Sequence, residues 1–219
     1  SSAIVVSWIN FLAQIADNNP KWSLEKIGKL AYQTECVEFG EPGGMMDQYI
    51  TSCGGILLIK SEPKVTVEKI DSELGSFVLG DSGELKNTLD ILDRCKTSRI
   101  KVFEKIKAVT SQFDLHTCKD DLDVSFLSKI EKILFFATLK NRNLLEKSLK
   151  ELNKKKVDPL YFGELLNQQH KILRDDLNVS TKKIESMLSA SKQAGAFGGK
   201  INGSGGGGCM FAYAPENPK

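Results

Sequence analysis

The sequence predicts an α/β (α+β) fold in two parts, an α/β front portion over residues 1–84 and a helix-rich rear portion over 85–219. Three observations predict it. Apolar residues recur at helical spacing through the first 39 positions and again from about 86 onward. Between them, residues 55–60, 65–70 and 76–79 are β-type runs separated by turn residues. The chain then closes with two strand-like segments around Gly203-Ser204-Gly205-Gly206-Gly207-Gly208, five glycines in six residues.

Each element follows from local signals. Ile4, Val5, Trp8, Ile9, Phe11, Leu12 and Ile15 give a first helix over about 3–16, with a wide apolar face. Ser23 caps a second helix over about 23–39, carrying Leu24, Ile27, Leu30, Ala31 and Val37. Gly40-Glu41-Pro42-Gly43-Gly44 ends it in a loop, and a short helix follows over 45–53. After the β-type runs, Gly80-Asp81-Ser82-Gly83 closes the front portion. Helices are expected over about 86–113, 123–139, 141–153, 158–176 and 180–194, with Leu177-Asn178-Val179-Ser180 as a break that ends in a serine cap.

Composition excludes several classes. With 41% hydrophobic and 26% charged residues and a net charge of +2, nothing points to bulk attraction to nucleic acid or a membrane surface. Lys154-Lys155-Lys156 reads as a solvated surface. Five cysteines, an odd number without a Cys-x-x-Cys pair, fit reduced thiols in a cytoplasmic protein better than disulfides or a zinc site. His116 and His170 are too far apart to suggest a metal cluster, and His170 reads as structural. No apolar stretch reaches the ~18 residues of a membrane span. Ser1-Ser2-Ala3 enters a helix with no initiator Met or basic leader, as if the chain begins partway through a domain.

The residues able to carry chemistry are few. Ser1 and Ser2 stand at a helix N-terminus, where free N–H groups and a partial positive charge suit phosphate. On the dipeptide alone, plain N-capping is the stronger reading. Glu35 shares a helical face with Ile27 and Ala31, which puts a carboxylate on an apolar side and asks for a partner such as a metal ion. Glu38 is its rival, and a wet last turn is the alternative. Asp47 follows Gly43-Gly44-Met45-Met46 at a helix start, placed to accept a proton from a hydroxyl or simply to complement the helix dipole. The glycine run lets backbone N–H groups approach a phosphate closely. Its Gly203-x-Gly205-x-x-Gly208 letters match a dinucleotide fingerprint, but a strand follows where a helix should. A linker is the bland reading, and the apolar run Cys209-Met210-Phe211-Ala212-Tyr213 directly after it argues against one.

Together these segments resemble the GHMP kinase superfamily of small-molecule kinases. Gly198 to Cys209 is similar to the family's C-terminal Gly-Ala-Lys-(Leu/Ile)-(Thr/Ser/Asn)-Gly-(Ala/Ser)-Gly-Gly-Gly-Gly-Cys motif, with Gly199 where alanine is usual. Ser1-Ser2-Ala3 looks like the end of its phosphate loop. Gly44-Met45-Met46-Asp47-Gln48 resembles the galactokinase Gly-Ile-Met-Asp-Gln, and the spacing of 12 between Glu35 and Asp47 matches the metal-binding Glu and catalytic Asp there. His170 to Ser180 looks like the helix before the final motif.

The resemblance implies ATP and Mg²⁺ as cofactors and a sugar or mevalonate-like alcohol as substrate, with galactokinase-like transfer to a sugar 1-hydroxyl placed first. Mevalonate-type transfer and a catalytically silent ATP- and sugar-binding regulator are the alternatives. It implies that Ser2 and Glu35 hold the metal, that Asp47 is catalytic, and that Ser1, Ser2, Gly203, Ser204, Gly205, Gly206 and Gly207 bind the nucleotide. It implies a fold in which 1–84 is the later portion of an ATP-binding N-terminal domain. Residues 85–219 are then a helix-rich, ferredoxin-like C-terminal domain, with ATP in the cleft between the two. The family's first motif and early strands are absent from this sequence. Where galactokinases carry a Tyr-Asn-x-Arg-Arg-like segment, Asp81 to Cys95 stands instead, which weakens galactose as acceptor.

Overall fold

The computed structural model describes residues 1–18, 20–40, 43–85 and 88–216, with the side chains of 88–90 and 92–94 left aside. Glu41, Pro42, Lys86 and Asn87, and the side chain of Arg94, on which parts of the expected loop and of the Asp81–Cys95 segment rest, lie outside the described residues. The chain forms two compact units, Ser1–Ser72 and Glu73–Lys219. It is mixed helix and sheet, as its periodicities predict. Among the described residues, no helix is long and apolar enough to cross a membrane, and no cysteine forms a disulfide.

The first unit holds α1 (Ser2–Ile15), α2 (Leu24–Tyr32), a π-helical turn over Gln33–Glu38, α3 (Met46–Cys53) and the antiparallel hairpin β1 (Ile56–Lys60) and β2 (Thr66–Ile70). Ser23 caps α2 by accepting from the Lys26 N–H. The small core centres on Val6, Ile27 and Ala31. α2 and α3 approach closely at Gly28, where a Cβ would lie 2.6 Å from Ser52 Oγ. The wide apolar face expected of α1 is not buried. Only Val6 and Ala13 are, because one stripe suffices to meet α2 and α3. Ile4, Trp8 and Ile15 remain 77%, 59% and 59% exposed.

The second unit holds β3 (Phe77–Asp81), α4 (Thr88–Val109), α5 (Lys129–Leu152), α6 (Pro159–Lys171), a π-helical turn over Ile172–Asp176, α7 (Lys182–Gln193), β4 (Gly198–Ile201) and β5 (Cys209–Tyr213). Its sheet has the order β3-β5-β4, antiparallel throughout. β3 pairs along its length with β5, from Phe77 against Tyr213 to Asp81 against Cys209. Such a partner more than 100 residues away cannot be read from local pattern. The two helices expected over 123–139 and 141–153 are one, α5. It starts later because Ser128 and Glu131 form a reciprocal capping box, and nothing near 140 interrupts it.

Two apolar clusters fill this unit. One joins α5, α6 and α7 to the sheet through Leu165, Ile184, Leu188, Ile201 and Met210. The other, around Ile106, Phe113 and Phe135, fastens α4 to α5. Glycine makes the contact between α6 and β4 possible, since a Cβ on Gly198 would strike the Gly163 carbonyl.

Candidate active site

The Ser1-Ser2 entry does not spend its hydroxyls on capping. The Ser1 carbonyl accepts from the Ile4 and Val5 N–H groups at 3.0 and 3.1 Å, but its side chain makes no cap bond. The Ser2 hydroxyl instead donates to Glu35 Oε2 at 2.8 Å, and the Ser1 side chain helps to hold the Glu35 carboxyl below its usual range.

Glu35 reaches this position because the helix widens. The π turn over Gln33–Glu38 shifts the phase after Ala31, so Cys36 takes the buried position that simple four-residue spacing gave to Glu35. Glu35 is left half-buried beside that face, and Glu38 is exposed. Such single π turns recur at functional sites. Burial pushes the Glu35 carboxyl up, but hydrogen bonds from Ser1, Gln48 and Ser2 together outweigh it and hold the carboxyl below its usual range.

Gln48 was not among the residues singled out from sequence. It is 2% exposed. Its Nε2 donates to Glu35 Oε2 at 2.6 Å and lies 3.2 Å from Ser2 Oγ, while its Oε1 is buried without a partner. Its neighbour Asp47 stands exposed in the first turn of α3.

Among the described residues, no group of three or more His, Cys, Asp or Glu side chains could hold a metal. What the cluster offers is one carboxylate, hydroxyls and an unsatisfied amide oxygen. Those are hard oxygen donors, and they fit Mg²⁺, which takes one or two protein carboxylates and completes its shell with water and phosphate.

The glycine loop in the second unit is built from backbone. Gly203, Gly205, Gly206, Gly207 and Gly208 all have positive φ, between 69° and 119°. Two anchors fix the loop, Gly206 N–H to the Val179 carbonyl at 2.8 Å and Gly208 N–H to the Glu84 carbonyl at 3.1 Å. Side chains have no room there, since a Cβ on Gly205 would meet the Val179 carbonyl and one on Gly206 the Ile91 side chain. Ser204 Oγ is buried without a partner. Consecutive N–H groups in such left-handed turns form concave anion sites, and Ser204 adds a donor that no protein group uses.

Val179, which anchors the loop, is followed by Ser180, a member of a polar network around His170 and Glu185. His170 is 6% exposed, and its Nε2 lies 2.8 Å from Glu185 Oε1. Glu185 also accepts from Ser180 and from Arg174. Burial raises the Glu185 carboxyl, and the bonds from Ser180, His170 and Arg174 bring it below its usual value. The structural reading of His170 fits this position. Glu185 carries a usable signal in the sequence, an acid in the first turn of a capped helix. Separately, a cavity of about 360 Å³ opens between α5, α6 and the second π turn, lined in part by Lys140, Lys171 and Asp175. None of the residues predicted from sequence lines it.

Comparison with known proteins bears on this arrangement. The family described as GHMP kinases C terminal matches residues 143–219. The mevalonate kinase of Pyrococcus abyssi is 28% identical over 215 residues, 98% of this chain and 55% of that protein. A galactokinase of Clostridium perfringens is 28% identical across 87% of this chain and 51% of its own length. The chain spans about half the length of the curated relatives it matches. Among solved structures, Lactococcus lactis galactokinase complexed with galactose superposes with a TM-score of 0.81 at 19% identity, covering 98% of this chain and 57% of that one. L. major mevalonate kinase in complex with R-mevalonate gives 0.65 at 20% identity, covering 98% and 56%. Residues 143–219 thus match the GHMP kinase C-terminal family.

Proposed function

We propose, on the premise that residues 143–219 match the GHMP kinase C-terminal family, that the protein transfers the γ-phosphoryl group of ATP to a hydroxyl of a small molecule. The observation that carries this reading is the convergence of Ser2, Glu35 and Gln48 at the entry of α1. A capping serine would turn to its own helix. Here the Ser2 hydroxyl turns to a carboxylate, Ser1 makes no side-chain cap bond, and the first N–H groups of α1 are left to a ligand.

In this reading Ser2 and Glu35 hold Mg²⁺. The ion, when bound, neutralises charge on the β- and γ-phosphates. Ser1 and Ser2 N–H groups and the loop Gly203, Ser204, Gly205, Gly206 and Gly207 bind the triphosphate, with Ser204 Oγ donating to a phosphate oxygen. Asp47 takes the proton of the attacking hydroxyl, which is worth on the order of 10²–10⁴-fold. The rest of the acceleration comes from positioning and from charge stabilisation by preset donors.

The acceptor we favour is a mevalonate-like alcohol, because the mevalonate kinases match 98–100% of this chain and the galactokinases 87–89%. A sugar acceptor keeps one specific support, the galactokinase-like Gly44-Met45-Met46-Asp47-Gln48 with Glu35 twelve residues before Asp47. A coupled ADP-release assay with R-mevalonate and with galactose tests both. The expected result is turnover with one of them that vanishes in Asp47→Asn. ATP binding without ADP release for either substrate would point to the silent regulator instead.

A further inference from the structure

We propose that Gln48 is a positioning residue for the metal ligands, holding the Glu35 carboxylate and the Ser2 hydroxyl together before a cation arrives; this rests on the kinase reading of that site. Three observations carry it. The Gln48 amide sits at the centre of the cluster, with Nε2 2.6 Å from Glu35 Oε2, 3.2 Å from Ser2 Oγ and 3.6 Å from Cys36 Sγ. It is buried to 2% exposure, so packing fixes its reach. And the first turn of α3 splits two adjacent residues, Gln48 inward against Glu35 and Asp47 outward to solvent. One short helix therefore sets both the carboxylate's orientation and the place of the proposed base.

The need for such a holder is physical. Glu35 lies on a widened turn, and its side chain has three rotatable bonds to lose on binding a cation. A donor at 2.6 Å removes that freedom in advance. The unsatisfied Gln48 Oε1 shows what the arrangement sacrifices. A buried amide oxygen without a donor is destabilising, so this amide is not oriented for the fold's benefit alone. A purely structural glutamine pinning α3 to the π turn would affect stability without affecting cation affinity.

The test uses Mn²⁺ as a paramagnetic probe, titrated in the presence of ATP and followed by electron paramagnetic resonance. Gln48→Met keeps the length and removes both amide atoms. It is expected to weaken Mn²⁺ binding about tenfold or more, as loss of a partner behind a metal ligand does. Affinity for metal-free ATP should stay within about twofold of wild type, since no phosphate contact is assigned to Gln48. Wild-type Mn²⁺ affinity in Gln48→Met overturns the proposal alone. Wild-type protein that binds ATP but no Mn²⁺ overturns the metal-site reading beneath it. Gln48→Glu is the second variant, should the first not fold. It loses the donor and sets a second carboxylate beside Glu35, so its melting temperature should fall without cation and recover on adding Mn²⁺. An equal fall with and without Mn²⁺ overturns the proposal.

Discussion

The two regions proposed to bind phosphate are built by opposite means. Around Glu35 the donors are side chains, Ser2 and Gln48, gathered from α1 and α3 onto one carboxylate. Around Gly205 the donors are backbone, exposed by removing side chains and pinned to Val179 and Glu84. The first region can lose a group at its surface, such as the Asp47 carboxylate, and keep its shape. The second has no spare volume, so a single added carbon deforms it. Substitutions should therefore separate binding from stability in the first region and couple them in the second.

The largest expected effect tests the side-chain region. Asp47→Asn should lower kcat by about 10²-fold or more, with ATP affinity and melting temperature near wild type because Asp47 is exposed. Steady-state kinetics on folded protein checks it, and near wild-type turnover would remove Asp47 from the reaction.

Gly205→Ala tests the backbone region. Its φ of +79° and the collision with the Val179 carbonyl should cost on the order of 2–3 kcal/mol of stability, along with nucleotide affinity. Gly195→Ala is the control, at φ +101° with open space around it, and should cost about 1 kcal/mol and leave nucleotide binding alone. Equal losses from both in thermal unfolding would mean that only backbone strain, not the close approach, matters in the loop.

Lys200, the residue just before β4 ends, sharpens the comparison by pH. Burial pushes its ammonium down to about 8, although its Nζ donates to the Ile201 carbonyl at 2.8 Å and lies over the Phe211 ring. The unfolded chain then holds this proton up to pH 10.5 while the folded chain releases it near 8, so stability contributed at this site rises with pH across that window. Lys200→Met should abolish a rise on the order of 2 kcal/mol between those limits. Identical pH profiles for the two proteins in denaturant titrations would contradict a desolvated Lys200. The smallest effect belongs to Glu38→Gln, which should change neither stability nor metal binding, because the π turn leaves Glu38 in solvent.

What could be read from sequence follows the same division. The glycine loop was legible because its cause is local, five residues without side chains between two apolar runs. Ser2 and Glu35 were legible as candidates, but not their meeting, since the π turn moves the helix phase by a step that no periodicity reveals. Gln48 was invisible beside Asp47 because a glutamine has no charge to make its burial conspicuous. The join of β3 to β5 is non-local and could not be seen. The start of α5 could have been, for Ser128-x-x-Glu131 is a capping-box pattern.

The central proposal is that both of these differently built regions contribute to nucleotide binding. Calorimetric titration of Mg·ATP into wild type, Glu35→Gln and Ser204→Ala tests it most directly. Removing Ser204 Oγ, a buried atom with no protein partner, leaves nothing in the fold unpaired. The account predicts that Mg·ATP binding is weakened about tenfold or more in each variant, the size expected for one lost charge-assisted hydrogen bond. Wild-type affinity in either variant would contradict it.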